Sequence, residues 1–234
     1  MTLPFQIETL SENALMLRWP PRQDPDTQRQ IHAIIGVLDA LPGLRDAVPT
    51  YHCLGLWFDP NGPQPEIENL KQFLHQHRKK WRSAPPVTGR HRTLPVCYEL
   101  GEDLDTVAQL SQLSVEAVIA RHCAPTYSVC FLGFTPGFAY LSGLPEALQL
   151  PRRASPRATI PAGSVAIGGS QTGIYPSPSP GGWHLIGRTP QPLLDLNQES
   201  VTWLLPGDTL TFEPISTEQY QQLCQQNEAH PCWK

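Results

Sequence analysis

Leu15, Leu17 and Trp19 alternate with Ala14, Met16 and Arg18, the period-two pattern of a strand with one buried face. Residues 3–9 supply a second short strand across the polar turn Ser11-Glu-Asn13, and Pro20-Pro21 ends the pair. The period then changes. Ile31, Ile34, Ile35, Leu38 and Leu41 recur at helical spacing until Pro42-Gly43 stops them. Leu54, Leu56 and Phe58 alternate again in a strand closed by Asp59-Pro-Asn-Gly-Pro63, and a second helix is predicted from about Ile67 to Trp81. Its last turns carry Arg78, Lys79, Lys80 and Arg82, where the negative end of the helix dipole favours cations. Strands with two amphipathic helices make a small α+β unit, one helix layer on one sheet. Ser83 to Gly89 reads as a linker, so the predicted domains are residues 1–88 and 89–234.

Beyond the linker, Leu94, Val96 and Tyr98 alternate as a strand. Leu104, Val107 and Leu110, then Val115, Val118, Ile119 and His122, predict two short helices at a spacing loosely like a helix-turn-helix. A DNA reader needs cations facing phosphates. Here Arg121 and His122 stand against Glu99, Glu102, Asp103, Asp105 and Glu116, so the pair is read as packing helices. From Tyr127 onward the apolar runs are short and turn-punctuated: Tyr127 to Leu132, Val165 to Ile167, Leu185-Ile186, Val201 to Leu205, and Leu210 to Phe212. Many short strands of this kind predict a closed or nearly closed barrel. A Gln-rich tail from Ser216 holds a helical turn or two around Tyr220 and Leu223 and is expected to be peripheral.

Composition narrows the classes. The net charge of −4 and pI near 6.0 give no global signature of a nucleic-acid or anionic-membrane partner. The N-terminus lacks the basic and apolar regions of a signal peptide, and no apolar run approaches the ~18–20 residues of a membrane helix. The six cysteines form neither CxxC nor a dense framework, which predicts reduced, mostly buried thiols in a cytoplasmic protein.

The densest chemistry lies between Phe131 and Leu194, where ten of 17 glycines and ten of 26 prolines fall. Such a segment is a set of shaped loops. It carries Arg152, Arg153, Arg157 and Arg188 against Glu146, a balance of +3 that leaves −7 for the remainder. Nothing in it builds a nucleotide cradle: Gly168-Gly-Ser-Gln-Thr-Gly173 lacks the phosphate-reaching lysine. Ser170 misses the nucleophile elbow because Thr172 stands in place of a glycine, and no carboxylate pair is present for acid–base work. Recognition is what remains. Arg153, Arg157 and Arg188 offer forks for a carboxylate or phosphate, with Gln171, Tyr175 and Ser179 as further donors. Gly168-Gly169 and Gly181-Gly182 offer backbone N–H groups, while Phe134, Phe138, Tyr140 and Trp183 offer ring faces beside Pro136 and Gly137. The alternative is that these loops cap a barrel and the arginine stems cover apolar surface. Four arginines among the densest turns favour an anion site.

Gly133-Phe-Thr-Pro-Gly-Phe-Ala-Tyr-Leu141, Pro151-Arg-Arg153, Pro156-Arg157, Ile160 to Gly169, Gln171 to Pro176, Pro180-Gly-Gly-Trp183 and Ile186-Gly-Arg-Thr-Pro190 together resemble one family. It is the bacterial 5-oxoprolinase B-subunit family, also called KipI or allophanate hydrolase subunit 1. His122, Tyr127 and Pro206-Gly-Asp208 extend the resemblance over most of the chain. It implies an α+β fold with a ferredoxin-like N-terminal domain and a cyclophilin-like C-terminal β-barrel. It also implies a direct, stable partner, the C subunit of 5-oxoprolinase, and a third component, its A subunit. Together these cleave 5-oxo-L-proline to L-glutamate at the expense of ATP, with Mg expected and the nucleotide held either by this chain or mainly by a partner. No nucleic acid, membrane or resident metal is expected. Other family members are implied to inhibit a sporulation histidine kinase, and related assemblies process urea or allophanate. On this resemblance the arginines hold the carboxylate and phosphate of an activated lactam, in a half-site whose catalytic groups stand on another chain.

Overall fold

The computed structural model describes residues 3–21, 25–63, 65–85, 89–197 and 200–227. The chain divides into two units, Met1–Val87 and Thr88–Lys234, each with its own core. Part of the expected linker (86–88), the end of the tail and Cys232 lie outside the described residues.

In the first unit the expected hairpin forms from β1 (Gln6–Ser11) and β2 (Ala14–Arg18). Helix α1 (Pro25–Leu38) follows, then β3 (Leu44–Pro49), β4 (Cys53–Phe58), α2 (Ile67–Gln76) and α3 (Arg78–Arg82). The sheet runs β1-β2-β4-β3, antiparallel throughout. The β2–α1–β3 crossover therefore straddles β4, which is the split β-α-β arrangement. Ile31, Ile34 and Leu38 of α1 and Leu70 and Leu74 of α2 close over Leu15, Leu17, Leu54 and Leu56. Two details differ from the sequence pattern. Strand β3 has no counterpart there, because as an edge strand it buries no side chain fully and its sequence shows no apolar alternation. The second helix breaks at His77 instead of running through, and Trp81 folds back so that its Nε1–H donates to Leu74 O at 2.9 Å.

The second unit begins with β5 (His91–Val96) and a 3-10 turn at Tyr98–Leu100, followed by α4 (Leu104–Ser111) and α5 (Val115–Cys123). Strands β6 (Tyr127–Leu132), β7 (Ala139–Ser142), β8 (Arg157–Ile160), β9 (Ser164–Gly168), β10 (Gln171–Ile174), β11 (Ser179–Gly181), β12 (His184–Arg188) and β13 (Thr209–Pro214) follow, and α6 (Thr217–Asn227) ends the described chain. Seven strands form one sheet in the order β12-β9-β10-β7-β6-β13-β5, while β8 and β11 pair separately. The outer strands meet: Cys97, just past β5, and Arg188 of β12 exchange both backbone hydrogen bonds, at 2.8 and 2.9 Å. This bridge turns the sheet into a barrel-like wall, which removes the exposed edges a seven-stranded sheet would otherwise carry. Tyr98 falls beyond β5, and Val201–Leu205 makes an isolated bridge, Leu194 to Thr202, in place of the expected strand.

Inside lie Leu94, Val96, Val129, Leu141, Ile167, Ile186 and Phe212, with Val107 of α4 and Val118 of α5 packed against them. A polar chain crosses this core. Thr172 Oγ1 donates to Ala166 O at 3.0 Å, so the 3.0 Å contact to His122 Nε2 makes the histidine the donor there. Its Nδ1 must then accept from the Tyr98 hydroxyl at 2.7 Å, and Tyr98 in turn accepts from Cys123 Sγ at 3.2 Å. Every member is satisfied, which is the condition for a polar network to persist in an apolar interior. Burial holds the His122 pKa down at about 3, so the ring is neutral.

Candidate functional site

Two arginines of the loop segment converge on a carboxylate from outside it. Asp103, just ahead of α4, is 3% exposed. It accepts from Arg153 Nη1 at 2.6 Å, from Arg157 Nη1 and Nη2 at 2.8 and 2.9 Å, and from Leu185 N–H at 2.8 Å. Its own N–H donates to Leu185 O at 2.8 Å, tying the helix start to β12. Burial opposes ionisation of Asp103, but the Arg157 hydrogen bond, the Leu185 N–H and the two guanidinium charges outweigh it and hold the carboxyl below its ordinary range. Glu102 adds a second contact to Arg157 at 3.2 Å. The acid-poor character read from residues 131–194 is therefore corrected in space, because the neutralising acids come from an earlier helix start. Arg188 stands apart from this hub. Its Nε donates to Ala162 O at 3.0 Å and its backbone closes the barrel.

The aromatic residues do come together, on the outer face of the wall. The pairing of Gln171 with Gly168 and of Gly173 with Ala166 leaves two glycines where side chains would project outward. A Cβ on Gly168 would stand 2.6 Å from Trp183 Cδ1, and one on Gly173 would stand 3.1 Å from the same indole. The glycines are thus a floor on which Trp183 lies flat. Phe138, Tyr175, Ile160, Ala166 and Leu185 complete a buried cluster, with Tyr140 packed against it. Tyr140 stacks on Phe131 at 4.5 Å between centroids, and Phe138 meets Tyr175 edge-on at 5.3 Å. Phe134 caps the cluster, T-shaped to Phe138 at 5.5 Å, yet it stays 57% exposed and holds φ at 68°. A bulky residue in the left-handed region is a strained choice that local packing must maintain. Gly137 follows at φ 81°, which completes the tight loop beside exposed Pro136.

Arg152, outside the sequence-based candidate set, is the cation beside this wall. It is exposed, and its guanidinium carbon lies 5.9 Å from the Trp183 ring centroid. Tyr175 is pushed up to about 12 by burial, against the pull of Arg152, and Tyr140 is raised in the same way. Both remain phenols. Two buried polar atoms here have no hydrogen-bond partner, Gln171 Oε1 and His184 Nδ1, while His184 Nε2 reaches Pro151 O at 2.9 Å. Ser179 Oγ bonds Ser177 O at 3.3 Å, within its own turn. Gly181 lies tight against the Tyr175 hydroxyl, Gly182 is near Pro156, and Gly169 forms an open turn at φ 63°. The sequence counted Arg152 among the four loop arginines without singling it out; which of Arg152 and Arg153 reaches Asp103 is a matter of backbone direction.

A family model described as carboxyltransferase domain, subdomain C and D, matches residues 5–204. A Haemophilus influenzae protein named as the B subunit of 5-oxoprolinase is 42% identical over 89% of this chain and 97% of its own length. A Bacillus subtilis protein of the same name is 37% identical over 94% of this chain and 97% of its own. The chain belongs to the 5-oxoprolinase B-subunit family. The family match takes in the Asp103 hub and the whole aromatic wall and stops short of α6. Among solved structures, that of TTHA0988 superposes with a TM-score of 0.74 at 40% identity, covering 87% of this chain. This chain spans 39% of that longer one. The Kluyveromyces lactis urea amidolyase matches with a TM-score of 0.77 at 17% identity over 97% of this chain and 16% of its own, a likeness of fold.

Proposed function

We propose that this chain is the B subunit of an ATP-dependent 5-oxoprolinase that opens 5-oxo-L-proline to L-glutamate. It supplies half of a site completed by the C subunit, with the A subunit in the assembly. The observation that carries this reading is the identity of 37% and 42% to proteins named as B subunits of 5-oxoprolinase, over 94% and 89% of the chain. In this reading the first unit is ferredoxin-like and the barrel cyclophilin-like.

The geometry shifts the roles. Arg153 and Arg157 build the scaffold through Asp103, and Arg152 takes the substrate carboxylate, its planar fork suited to bidentate contact. The apolar Trp183–Tyr140–Phe134 wall covers the lactam ring and excludes water, while Tyr140, Tyr175 and Gln171 orient it. Among the described residues the donor set does not fit Mg–ATP. The two hub arginines are neutralised, and among the described residues no three His, Cys, Asp or Glu gather as a cation cage. In this reading the nucleotide is held mainly by a partner subunit.

The test is reconstitution. Glutamate formation coupled to ATP hydrolysis is expected only when this chain is combined with the C and A subunits. Turnover by this chain alone, or failure to co-purify with the C subunit, would sink the reading.

A further inference from the structure

The first unit is divided in charge. Residues 1–68 carry four Lys or Arg against nine Asp or Glu, whereas residues 69–87 carry Lys71, Arg78, Lys79, Lys80 and Arg82 and no acid. Four of these five cations fall on α3, a helix of five residues. Lys71 is paired with Glu68 at 3.3 Å. Lys79, Lys80 and Arg82 are exposed and form no ion pair among the described residues. Asp26, which Arg29 ties to this end of the unit, is already paired with that arginine at 2.6 Å.

A helix end gathers cations when its last carbonyls lack partners. These carbonyls have them. Lys79 O accepts from the Ser83 N–H at 3.3 Å and from the Ser83 hydroxyl, and Arg29 Nη1 donates to Arg82 O and Ala84 O, both at 3.1 Å. Three exposed charges are therefore surplus to what the helix itself requires. The turn that bears them is also fixed in place. Trp81, 0% exposed, sits between Lys80 and Arg82 with its indole N–H on Leu74 O, and the Arg82 guanidinium carbon lies 6.0 Å from the Trp81 ring centroid. A cationic turn anchored at its centre holds like charges at short range, and that proximity raises the local potential toward anions.

The surroundings select what carries the anion. A face for single-stranded nucleic acid interleaves cations with exposed rings for stacking, but Trp81 is buried and Phe73 half-buried. A membrane-surface helix needs apolar side chains to insert, and α2 and α3 expose no large hydrophobic residue. Carboxylates on a protein remain: an acidic segment held by charge without an apolar core, and so readily released.

We propose that α3 is a docking site for an acidic segment of a partner protein, whose Asp and Glu side chains meet Lys79, Lys80 and Arg82. The site stands whether or not the proposed reaction does. The test is fluorescence anisotropy of a labelled oligoglutamate of about ten residues titrated with the full chain, beside single-stranded DNA of equal length and vesicles containing phosphatidylserine. The peptide is expected to bind, and its affinity to fall at least about tenfold between about 50 and 200 mM salt. Lys79→Glu combined with Lys80→Glu is expected to weaken it at least about tenfold at low salt with an unchanged melting temperature, because both side chains are exposed. Arg121→Glu removes an exposed cation of the second unit and is expected to change the affinity less than about twofold. No peptide binding, equal weakening by Arg121→Glu, undiminished binding by the folded double variant, or tighter binding of the DNA or the vesicles would overturn the proposal.

Discussion

The carboxylate of Asp103 receives both terminal nitrogens of Arg157, at 2.8 and 2.9 Å, across 54 residues of sequence. Arg153 and the Leu185 N–H share the same two oxygens. Three loop or strand segments and the start of α4 thus hang on one side chain.

Asp103→Asn removes the charge and leaves two guanidinium groups short of an acceptor. A loss of about 2–4 kcal/mol is expected in urea unfolding, below the figure for a fully buried pair because both arginines keep some exposure. The pH sign follows from the depressed carboxyl. The stabilisation is complete above the unfolded carboxylate value of about 3.9 and is lost as pH falls below it through the folded value. Unfolding curves of the wild type and Asp103→Asn should converge in that acid range.

His122 loads a separate window. The folded pKa of about 3 lies under the unfolded value of about 6.5, so only the unfolded chain takes the proton between them. Stability is full above pH ~6.5 and falls by up to about 1.4 kcal/mol per pH unit on acidification toward 3. Nitrogen-15 NMR of the ring should report a neutral imidazole protonated at Nε2 at pH 5. A ring charged at that pH would contradict the relay through Thr172 and Tyr98.

Gly168→Ala puts a Cβ 2.6 Å from Trp183 Cδ1 unless the indole moves. Overpacking of this kind costs about 1–3 kcal/mol. The Trp183 indole N–H resonance should shift and the melting temperature drop, whereas Gly169→Ala, in open space, acts only through its positive φ.

The proposed function gives Arg152 recognition and Arg157 the scaffold. In the reconstituted enzyme, Arg152→Ala is expected to raise the KM for 5-oxoproline about tenfold or more with an unchanged melting temperature. Arg157→Ala should lower the melting temperature first. The reverse pattern would return Arg157 to the substrate.

Phe134→Gly relieves a left-handed backbone at φ 68° but adds chain entropy, so stability should stay within about 1 kcal/mol. The exposed ring is then the main loss. Association with the C subunit, followed by analytical ultracentrifugation, should weaken about tenfold if the ring is an anchor of that interface.

Periodicity marked the hairpin of Leu15 and Leu17, the helix of Ile31 and Ile34, and the strands through Leu54 and Leu94, because burial of a face imposes its period, while the strands through Ile167 and Phe212 showed as short apolar runs between turns. It also marked the Gly/Pro-rich loops, since those residue types dictate backbone shape locally. Edge strand β3 escaped because it has no buried face, and Val201–Leu205 misled because an apolar run need not find a strand partner. Charge was where sequence proximity failed most. Residues 131–194 looked acid-poor, but Asp103 arrives from another element and neutralises Arg153 and Arg157, leaving Arg152 beside Trp183. Ion pairing is decided by distance in space, and only the closure of the barrel through Cys97 and Arg188 brings those distant segments to one place.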